Sequence, residues 1–596
     1  MAIEKRNFLG VRRSATGVSW EHRLTERQDM LALAIAQGHG VPDIVARVLA
    51  GRGVLPEDAE RFLDPSIRDL LPDPATLTDM HKAAGRIADA VLRGERVAIF
   101  GDYDVDGACS SALMKRFLGR FGVEAEIYIP DRIFEGYGPN PDAMRELIGR
   151  GARLIVTVDC GTNSAASIDA ANEAGADVVV LDHHQVGGAL PNAVAVVNPN
   201  RDDDLSGQGH LCAAGVTFLT LVQTAKVLRE RLPDAPRPDL LKLLDLVALA
   251  TVADVVPLTG VNRAFVVKGL QAMRQQNNPG LTALARVARI GEPLNTFHLS
   301  FLLGPRINAG GRIGDAALGS KLLATDDPVE AGTIAETLDR LNQERQAMET
   351  VMLAEARAEA DAEIGAGPGP AVLVTANTTW HPGIVGLLAS RLKDHARRPA
   401  FAIAFNGNGV GTGSGRSVSG FDLGRLVREA VEAGLLVKGG GHAMAAGITV
   451  ERAKLGEVRA FFEARAAADV FRLQDEESLL IDGALAAEGA TLALVESLEK
   501  AGPFGQGHVA PTFVLPRHKL ADVRVIGTGH VRIDLRSESG GRIQGISFRS
   551  AEAPLGEFLL RNSGRTVHVA GSLSVNHWNG NRTVQLRVID ASLAGP

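Results

Sequence analysis

The sequence predicts an α/β protein of several domains that ends in a small β-barrel, and three patterns predict it. From Val97 onward, short apolar runs (VAIF, AEIYI, LIVTV, VVVL and AVAVV) alternate with Ala-rich helical segments such as SAASIDAANEAG, the mark of a mainly parallel sheet covered on both faces. After a GPGP hinge the alternation returns, with strands AVLVTA and AFAIAF flanking the helix GIVGLLASRLKDH. Late in the chain, the runs TFVLPRHKLADVRVI, HVRIDLRS, RIQGISF, TVHVAGSLSV and TVQLRVIDA alternate apolar and polar residues, the strand count of a small Greek-key, OB-like barrel.

Taken in order, residues 1–70 carry two apolar stripes closed by glycine, QDMLALAIAQGHG and PDIVARVLAGRG, and read as a partly helical cap on the first α/β unit. Residues 71–270 hold that unit, whose last helix ends in LVALATVADVVPL. In the next span, 271–365, the glycine-rich FLLGPRINAGGRIGD reads as a recognition loop, and residues 328 to about 364 as a helix over 30 residues long, Pro at its start and Gly at its end, connecting two domains. The second α/β unit occupies 366–468 and closes on VKGGGHAMAAGITV; the barrel and its helical link take 469–596.

At 596 residues the chain is too long for one hydrophobic core. With 45% apolar and 22% charged residues it is neither disordered nor a coiled-coil rod, and its 66 glycines show no collagen period. Cys109, Cys160 and Cys212 are too far apart for a close thiol pair or a zinc pattern, and read as reduced thiols of a cytoplasmic protein. No apolar run reaches 18 residues and the N-terminus has no apolar signal core, so neither membrane insertion nor secretion is expected. The net charge of -7 leaves nucleic acid open as a partner, because residues 511–596 carry eleven Lys or Arg against six Asp or Glu.

The chemistry gathers at strand tips. VAIFGDYDVDGACS sets Asp102, Asp104 and Asp106 at two-residue spacing directly after a strand. Three carboxylates in one turn repel one another and need a cation or full solvation, so a metal site and a polar turn are the two readings; the place at the carboxyl end of a sheet strand favours the metal. LIVTVD ends a second strand on Asp159, and VVVLDHH ends a third on Asp182, His183 and His184. One such residue is as well explained by a helix cap, but the set is hard to explain by packing. Asp254, at the end of LATVAD, is the weakest member alone and closes the cluster as a fourth carboxylate. Mostly oxygen donors with one or two imidazoles and no thiol favour Mn²⁺ or Mg²⁺ over zinc, as two ions about 3.5–4 Å apart bridged by Asp159.

GDYDVDG, TVDCG, LDHH and VADVVPL, in this order, resemble the DHH phosphoesterase superfamily, and the later RINAGGR, GSGRS and GGGHAMAAG resemble its RecJ branch. The likeness spans roughly residues 70–596. It implies a DHH-type catalytic domain, a DHH-associated domain and a 5′-to-3′ exonuclease of single-stranded DNA. It also implies that Asp104 and Asp106 each serve one metal, that Asp159 bridges, that His183 and Asp254 complete the shell, and that His184 faces the scissile phosphate. Asp102 and Asp182 are left as an extra ligand or as supporting groups. Pyrophosphatase-like members of the superfamily have a metal-binding histidine where this chain has Phe100, so the first metal is expected to recruit Asp102 or water, and a small-molecule pyrophosphatase is disfavoured.

The later motifs supply recognition. Arg306, Asn308 and Arg312 in GPRINAGGR, and Ser414 and Arg416 in GTGSGRS, suit phosphate oxygens, with surface ion pairs as the ordinary alternative. His442 lies in a glycine-rich stretch that either approaches a phosphate or starts a helix against the sheet; Trp380 and His381 either touch a nucleotide or fill the core. In the barrel, Arg524, Arg532, Arg536, Arg542, Arg549 and Arg587 alternate with apolar residues, and His577 and Trp578 are the main stacking candidates. The reading is a metal-dependent exonuclease releasing 5′-mononucleotides in recombination and repair, a monomer fed by a single-strand-binding protein or a helicase. Its rivals are a phosphodiesterase of oligoribonucleotides or cyclic dinucleotides, for which the barrel is dispensable, and a non-catalytic single-strand binder, against which the intact acidic set argues.

Overall fold

The computed structural model describes residues 6–131, 135–136, 138–234, 236–365, 367–578 and 581–595. Its first sheet comprises β1 (Val97–Phe100), β2 (Ala125–Tyr128), β3 (Leu154–Val158), β4 (Asp177–Leu181) and β5 (Ala195–Val197), ordered β2-β1-β3-β4-β5 with every pair parallel. The runs are apolar throughout because helices cover both faces: β1 and β3 are buried at every residue. Helices α1 (Val105–Gly119), α2 (Ala213–Arg231) and α3 (Leu244–Ala253) belong to one core with this sheet, and parallel order brings every carboxyl end to the same edge.

FLLGPRINAGGRIGD, expected as a loop, is helical as far as Ile313: a π-helical turn, His298–Leu303, runs directly into α4 (Gly304–Ile313). Its glycines serve close approach. A Cβ on Gly311 would lie 2.0 Å from the Tyr103 ring, and one on Gly304 would meet Ala253 and Val105 at 3.5 and 3.6 Å. Tertiary packing here overrides the helix-breaking tendency of glycine. The long helix α5 (Pro328–Ile364) has Asp327 as its N-cap, accepting from the Val329 N–H. Leu338 near its start joins the first core, whereas Met352, Ala356 and Ala360 near its end join a cluster with Trp380 and Leu388, so one rigid rod packs in both α/β units.

The second sheet holds β6 (Leu373–Asn377), β7 (Ala400–Phe405), β8 (Val410–Arg416), β9 (Lys438–His442) and β10 (Ala445–Glu451), ordered β9-β10-β8-β7-β6 and parallel only between β6 and β7. GGGHAMAAG is therefore a hairpin, β9 to β10, and not the start of a helix. The barrel closes β11 (Phe513–Ile526), β12 (His530–Arg536), β13 (Arg542–Ser547), β14 (Thr566–Trp578) and β15 (Asn581–Leu593) through a β11–β14 pairing.

The N-terminal segment meets the first α/β unit at Ile67, against its core, but most of it packs on the C-terminal body. Ser19–His22 pairs with Ser478–Ile481, the buried Trp20 donates to Asp590 at 2.8 Å, and Ile35 and Leu49 share a core with Leu498 and Phe513. The two chain ends thus build one body; apolar stripes require a partner without naming it. Arg263 joins that body to the first core: its guanidinium stacks 4.1 Å from the Phe62 ring centroid and donates to the carbonyls of Phe62 and Lys500.

Candidate metal centre and nucleic-acid cleft

The carboxyl ends of β1, β3 and β4 deliver the acidic groups, and local chemistry fixes each. Asp104 is the N-cap of α1 and accepts from the Gly107 N–H at 3.0 Å. Gly107 is required, since a Cβ there would fall 2.5 Å from the Asp102 carbonyl oxygen. Asp106, 1% exposed, accepts from the Ala213 and Ala214 N–H groups at the start of α2, at 2.6 and 2.8 Å. Asp159 turns off β3 in the left-handed region, φ 60°, and Asp254 ends α3 just before Val255, also at φ 60°. Asp159 and Val255 are non-glycine residues in a costly conformation, held by packing at a site.

These groups converge. Ligand atoms of Asp102, Asp104 and Asp159 lie within 4.8 Å of one another, and so do those of Asp106, His183 and Asp254, and of Asp159, His183 and His184. His183 Nε2 is 3.3 Å from Asp159 Oδ1, 3.7 Å from Asp106 Oδ2 and 3.8 Å from Asp254 Oδ2. Phe100 is buried in the core against Tyr128, and a carboxylate oxygen of Asp102 lies within 4.8 Å of those of Asp104 and Asp159.

The electrostatics fit two divalent cations. Burial, then the charges of Asp104 and Asp106, push the Asp159 carboxyl well above the usual carboxylate range; burial likewise raises Asp106 and Asp254. Among the described residues no lysine or arginine forms an ion pair with Asp104, Asp106 or Asp254. Oxygen donors joined by imidazole, with all three cysteines buried elsewhere as free thiols, match Mn²⁺ or Mg²⁺.

Asp182 is not grouped with possible metal ligands; it organises the DHH turn. It accepts from the Thr162, His183 and His184 N–H groups and holds His184 Nδ1 at 2.8 Å. Burial would raise its pKa, but these bonds and the imidazole charge outweigh burial and lower it; in return, against the effect of burial, they raise His184. Asn198 and Asn200, missed in the sequence, donate to the carbonyls of His184 and His183; the only signal was the polar VNPN after β5.

The recognition residues divide. Trp380 is 4% exposed with Nε1 on Glu355 at 2.8 Å, so it fills the core and does not reach nucleic acid. Arg306 takes the ordinary alternative, an ion pair with Asp339 of α5 at 2.8 Å, and Arg312 donates to the Gly383 carbonyl of the second unit. Asn308 Oδ1 is buried with no hydrogen-bond donor among the described residues. Arg416 is aligned by Ser414 Oγ at 2.9 Å, and His381 Nδ1 accepts from the Gly383 N–H. His442 is exposed at the tip of β9; burial first, then the charges of Arg416 and of His184, lower its pKa.

On the barrel, Arg524 pairs across from Arg532, Arg532 from Ile546, and Ile546 from Arg587, while Arg536 opposes Arg542. Directly opposed residues share a face, so these five arginines line one outer surface. Arg549 lies beyond β13 at φ 52° and is not a strand residue. The side chains of His577 and Trp578 lie outside the described residues. The sequence reading missed Phe548, 51% exposed on this surface, with Arg587 5.7 Å from its ring centroid.

A parallel sheet whose carboxyl edge gathers acidic groups and a DHH turn, joined to a second α/β unit through the long helix and the Arg312–Gly383 contact, defines a DHH-type phosphoesterase. The profile of the DHH family, N-terminal domain, matches residues 96–251, the DHHA1 domain 369–468 and the RecJ OB domain 481–590. The chain belongs to the RecJ family. It is 38% identical to the single-stranded-DNA-specific exonuclease RecJ of Dickeya dadantii over 92% of this chain and 96% of that one. With the Escherichia coli relative of the same name it is 36% identical over the same shares. The crystal structure of RecJ with Mn²⁺ from Thermus thermophilus superposes with a TM-score of 0.77 at 30% identity, covering 94% of this chain and 78% of that one. Among the described residues no helix is long and apolar enough to cross a membrane.

Proposed function

We propose that this chain is a Mn²⁺- or Mg²⁺-dependent exonuclease that removes 5′-mononucleotides from the 5′ end of single-stranded DNA. The observation that carries the reading is the convergence of two donor sets, Asp102, Asp104 and Asp159 beside Asp106, His183 and Asp254, in a member of the RecJ family. Asp159 is the bridge between the sets, as its closeness to both supports. When bound, paired divalent cations lower the pKa of water and neutralise charge gathering on phosphoryl oxygens.

The protein's own groups do the positioning. Asp106 is clamped by two backbone N–H groups, so it presents its oxygens in one orientation. Asp182 fixes the His184 ring through Nδ1 and keeps it protonated to higher pH, which suits a donor to a phosphoryl oxygen or to the leaving 3′ oxygen. Arg416 and His442 of the second α/β unit hold the terminal 5′ phosphate in this reading, supported by the electrostatic influence of His184 on His442, with Arg312 and Asn308 at the junction of the two units. The arginine surface of the barrel attracts the strand through its backbone charge with little sequence preference. All the acidic groups and both α/β units come from one chain, which supports a monomer acting in the cytoplasm in recombination and repair, with single strands delivered by a single-strand-binding protein or a helicase.

The test is digestion of end-labelled single- and double-stranded DNA and RNA with Mn²⁺ or Mg²⁺. Mononucleotide release from the 5′ end of single-stranded DNA is expected. Digestion from the 3′ end, equal cutting of duplex, or activity confined to dinucleotides would overturn the reading.

A further inference from the structure

The first α/β unit has a second concave site, at the far end of its helices from the metal centre. A cavity of about 590 Å³ is lined by five Lys or Arg side chains and three Asp. Two of the cations are already engaged: Arg116 holds Asp326 at 2.6 Å and donates to the carbonyls of Leu323 and Thr325, and Lys242 lies 3.8 Å from Asp239. Lys115, Arg120 and Arg237, all exposed, form no ion pair among the described residues. A neighbouring cavity of about 640 Å³ shares Asp245 and Asn277 with the first, but Met273, Leu281, Ile290 and Leu294 wall it. Asp245 therefore stands at the neck between a cationic lobe and a more apolar one. It is 3% exposed and accepts from the Leu246 N–H, the next residue, while no side chain among the described residues donates to it. An ionised carboxylate offers about four acceptor positions, and burial pushes this one up to about 6, which leaves it charged at neutral pH and short of donors. The site is not an extension of the metal centre. Arg116 is about 18 Å along α1 from Asp104, and Asp245 about 14 Å along α3 from Asp254.

We propose that the two lobes form a binding site for a free guanine nucleotide, with Asp245 accepting from the base, the apolar lobe covering it, and Lys115, Arg120, Arg237 and Lys242 holding the phosphates. The choice of base follows from the acceptor. A carboxylate has two oxygens and no proton to give, so it pairs with two donors side by side. Guanine presents them, N1–H beside the 2-amino group; adenine and cytosine present a donor beside an acceptor, and uracil a single N–H between two carbonyls. The choice of phosphates follows from the uncompensated cations, two of them guanidinium forks that suit phosphate oxygens. Each lobe falls within the roughly 300–1,000 Å³ of small-molecule sites. The inference is independent of the exonuclease reading, since it uses none of the acidic groups of the strand tips.

The test is equilibrium dialysis of the full chain against radiolabelled GTP, with chelator present so that the metal centre is empty and nothing is cut. One GTP per chain is expected to bind, with ATP and inorganic triphosphate at least tenfold weaker as competitors. Lys115→Ala and Arg120→Ala, both on the surface, should each weaken GTP about tenfold. Asp245→Asn should exchange the preference for GTP for one for XTP, because the asparagine amide donates to the 2-carbonyl that xanthine has in place of the guanine amine. A merely structural aspartate would give no such gain. Asp159→Asn should bind GTP as the wild type does, and a 5′-phosphorylated oligodeoxynucleotide should not displace it. Absence of GTP binding at millimolar concentration, equal binding of ATP, or displacement by the oligonucleotide would overturn the proposal. So would loss of GTP in Asp245→Asn without a gain of XTP, at an unchanged melting temperature.

Discussion

The strand-tip cluster of the first sheet and the arginine surface of the barrel both serve a polyanion, yet they are built by opposite rules. Asp106 and Asp159 are buried, the first fixed by backbone N–H donors and the second by left-handed backbone, and burial together with neighbouring carboxylates raises the pKa of both. The arginines stand exposed on strands, and two of them already share charge with neighbours: Arg524 with Asp522 at 2.7 Å and Arg532 with Asp534 at 3.9 Å. Chemistry demands a fixed geometry and tolerates strain to obtain it; holding a flexible strand demands only positive potential at a surface.

That contrast can be broken at its strongest point first. Asp159→Asn keeps a residue that tolerates positive φ while removing the central charge. Hydrolysis should fall by on the order of 10³-fold or more, chelation of the wild type should do the same, and binding of single strands in chelator should persist. Turnover by Asp159→Asn near the wild-type rate would refute the bridge. Next in size, Asp182→Asn loosens the DHH turn without touching a metal position, and single-turnover cleavage should slow by about 10- to 100-fold; an unchanged rate would show that the His184 orientation does not matter.

The joint between the two regions is open to a pH test. His508 is buried against Phe62 and Phe504, its Nε2 2.7 Å from the Ala501 carbonyl, and burial pushes its pKa down to about 4. The unfolded chain binds a proton near the ordinary value of about 6.5 and the folded one only near 4, so its contribution is whole above the first value and lost as pH falls between them. The loss is about 3 kcal/mol, to be read as a fall in the denaturant midpoint that His508→Gln makes shallower. The smallest effect belongs to the barrel. Arg532→Ala and Arg587→Ala should each flatten the dependence of log affinity on log salt by about 0.7, and a slope unchanged in both would place the strand elsewhere.

How much of this was legible in the sequence depends on the range of each signal. The three apolar strands and the carboxylates after them are local, since a strand buried on both faces is written as an unbroken apolar run and a turn comes after it. His183 and His184 obey the same logic. Asp254 was readable only as a member of a set, because nothing in LATVAD distinguishes a metal-facing carboxylate from a helix cap. The stretch around Arg306 and Arg312 was misread as a loop because glycine disfavours isolated helices, whereas Gly304 and Gly311 are there so that α4 can press on Val105 and Tyr103. Trp380 was ambiguous for a similar reason: whether a Trp before a helix is covered depends on Glu355 and the end of α5, 25 residues away in sequence.

The sequence by itself determined the periodicity of the elements, the kinds of ligand available and therefore the class of cation, because these depend on residue type and on spacing within a few positions. Only the tertiary structure decided that Asp254 stands beside Asp106 and His183, and that the first residues of the chain join the barrel. Each of these is a choice of partner among residues far apart in the chain, settled by which surfaces pack most closely once the chain has collapsed, and an amphipathic pattern does not record that choice.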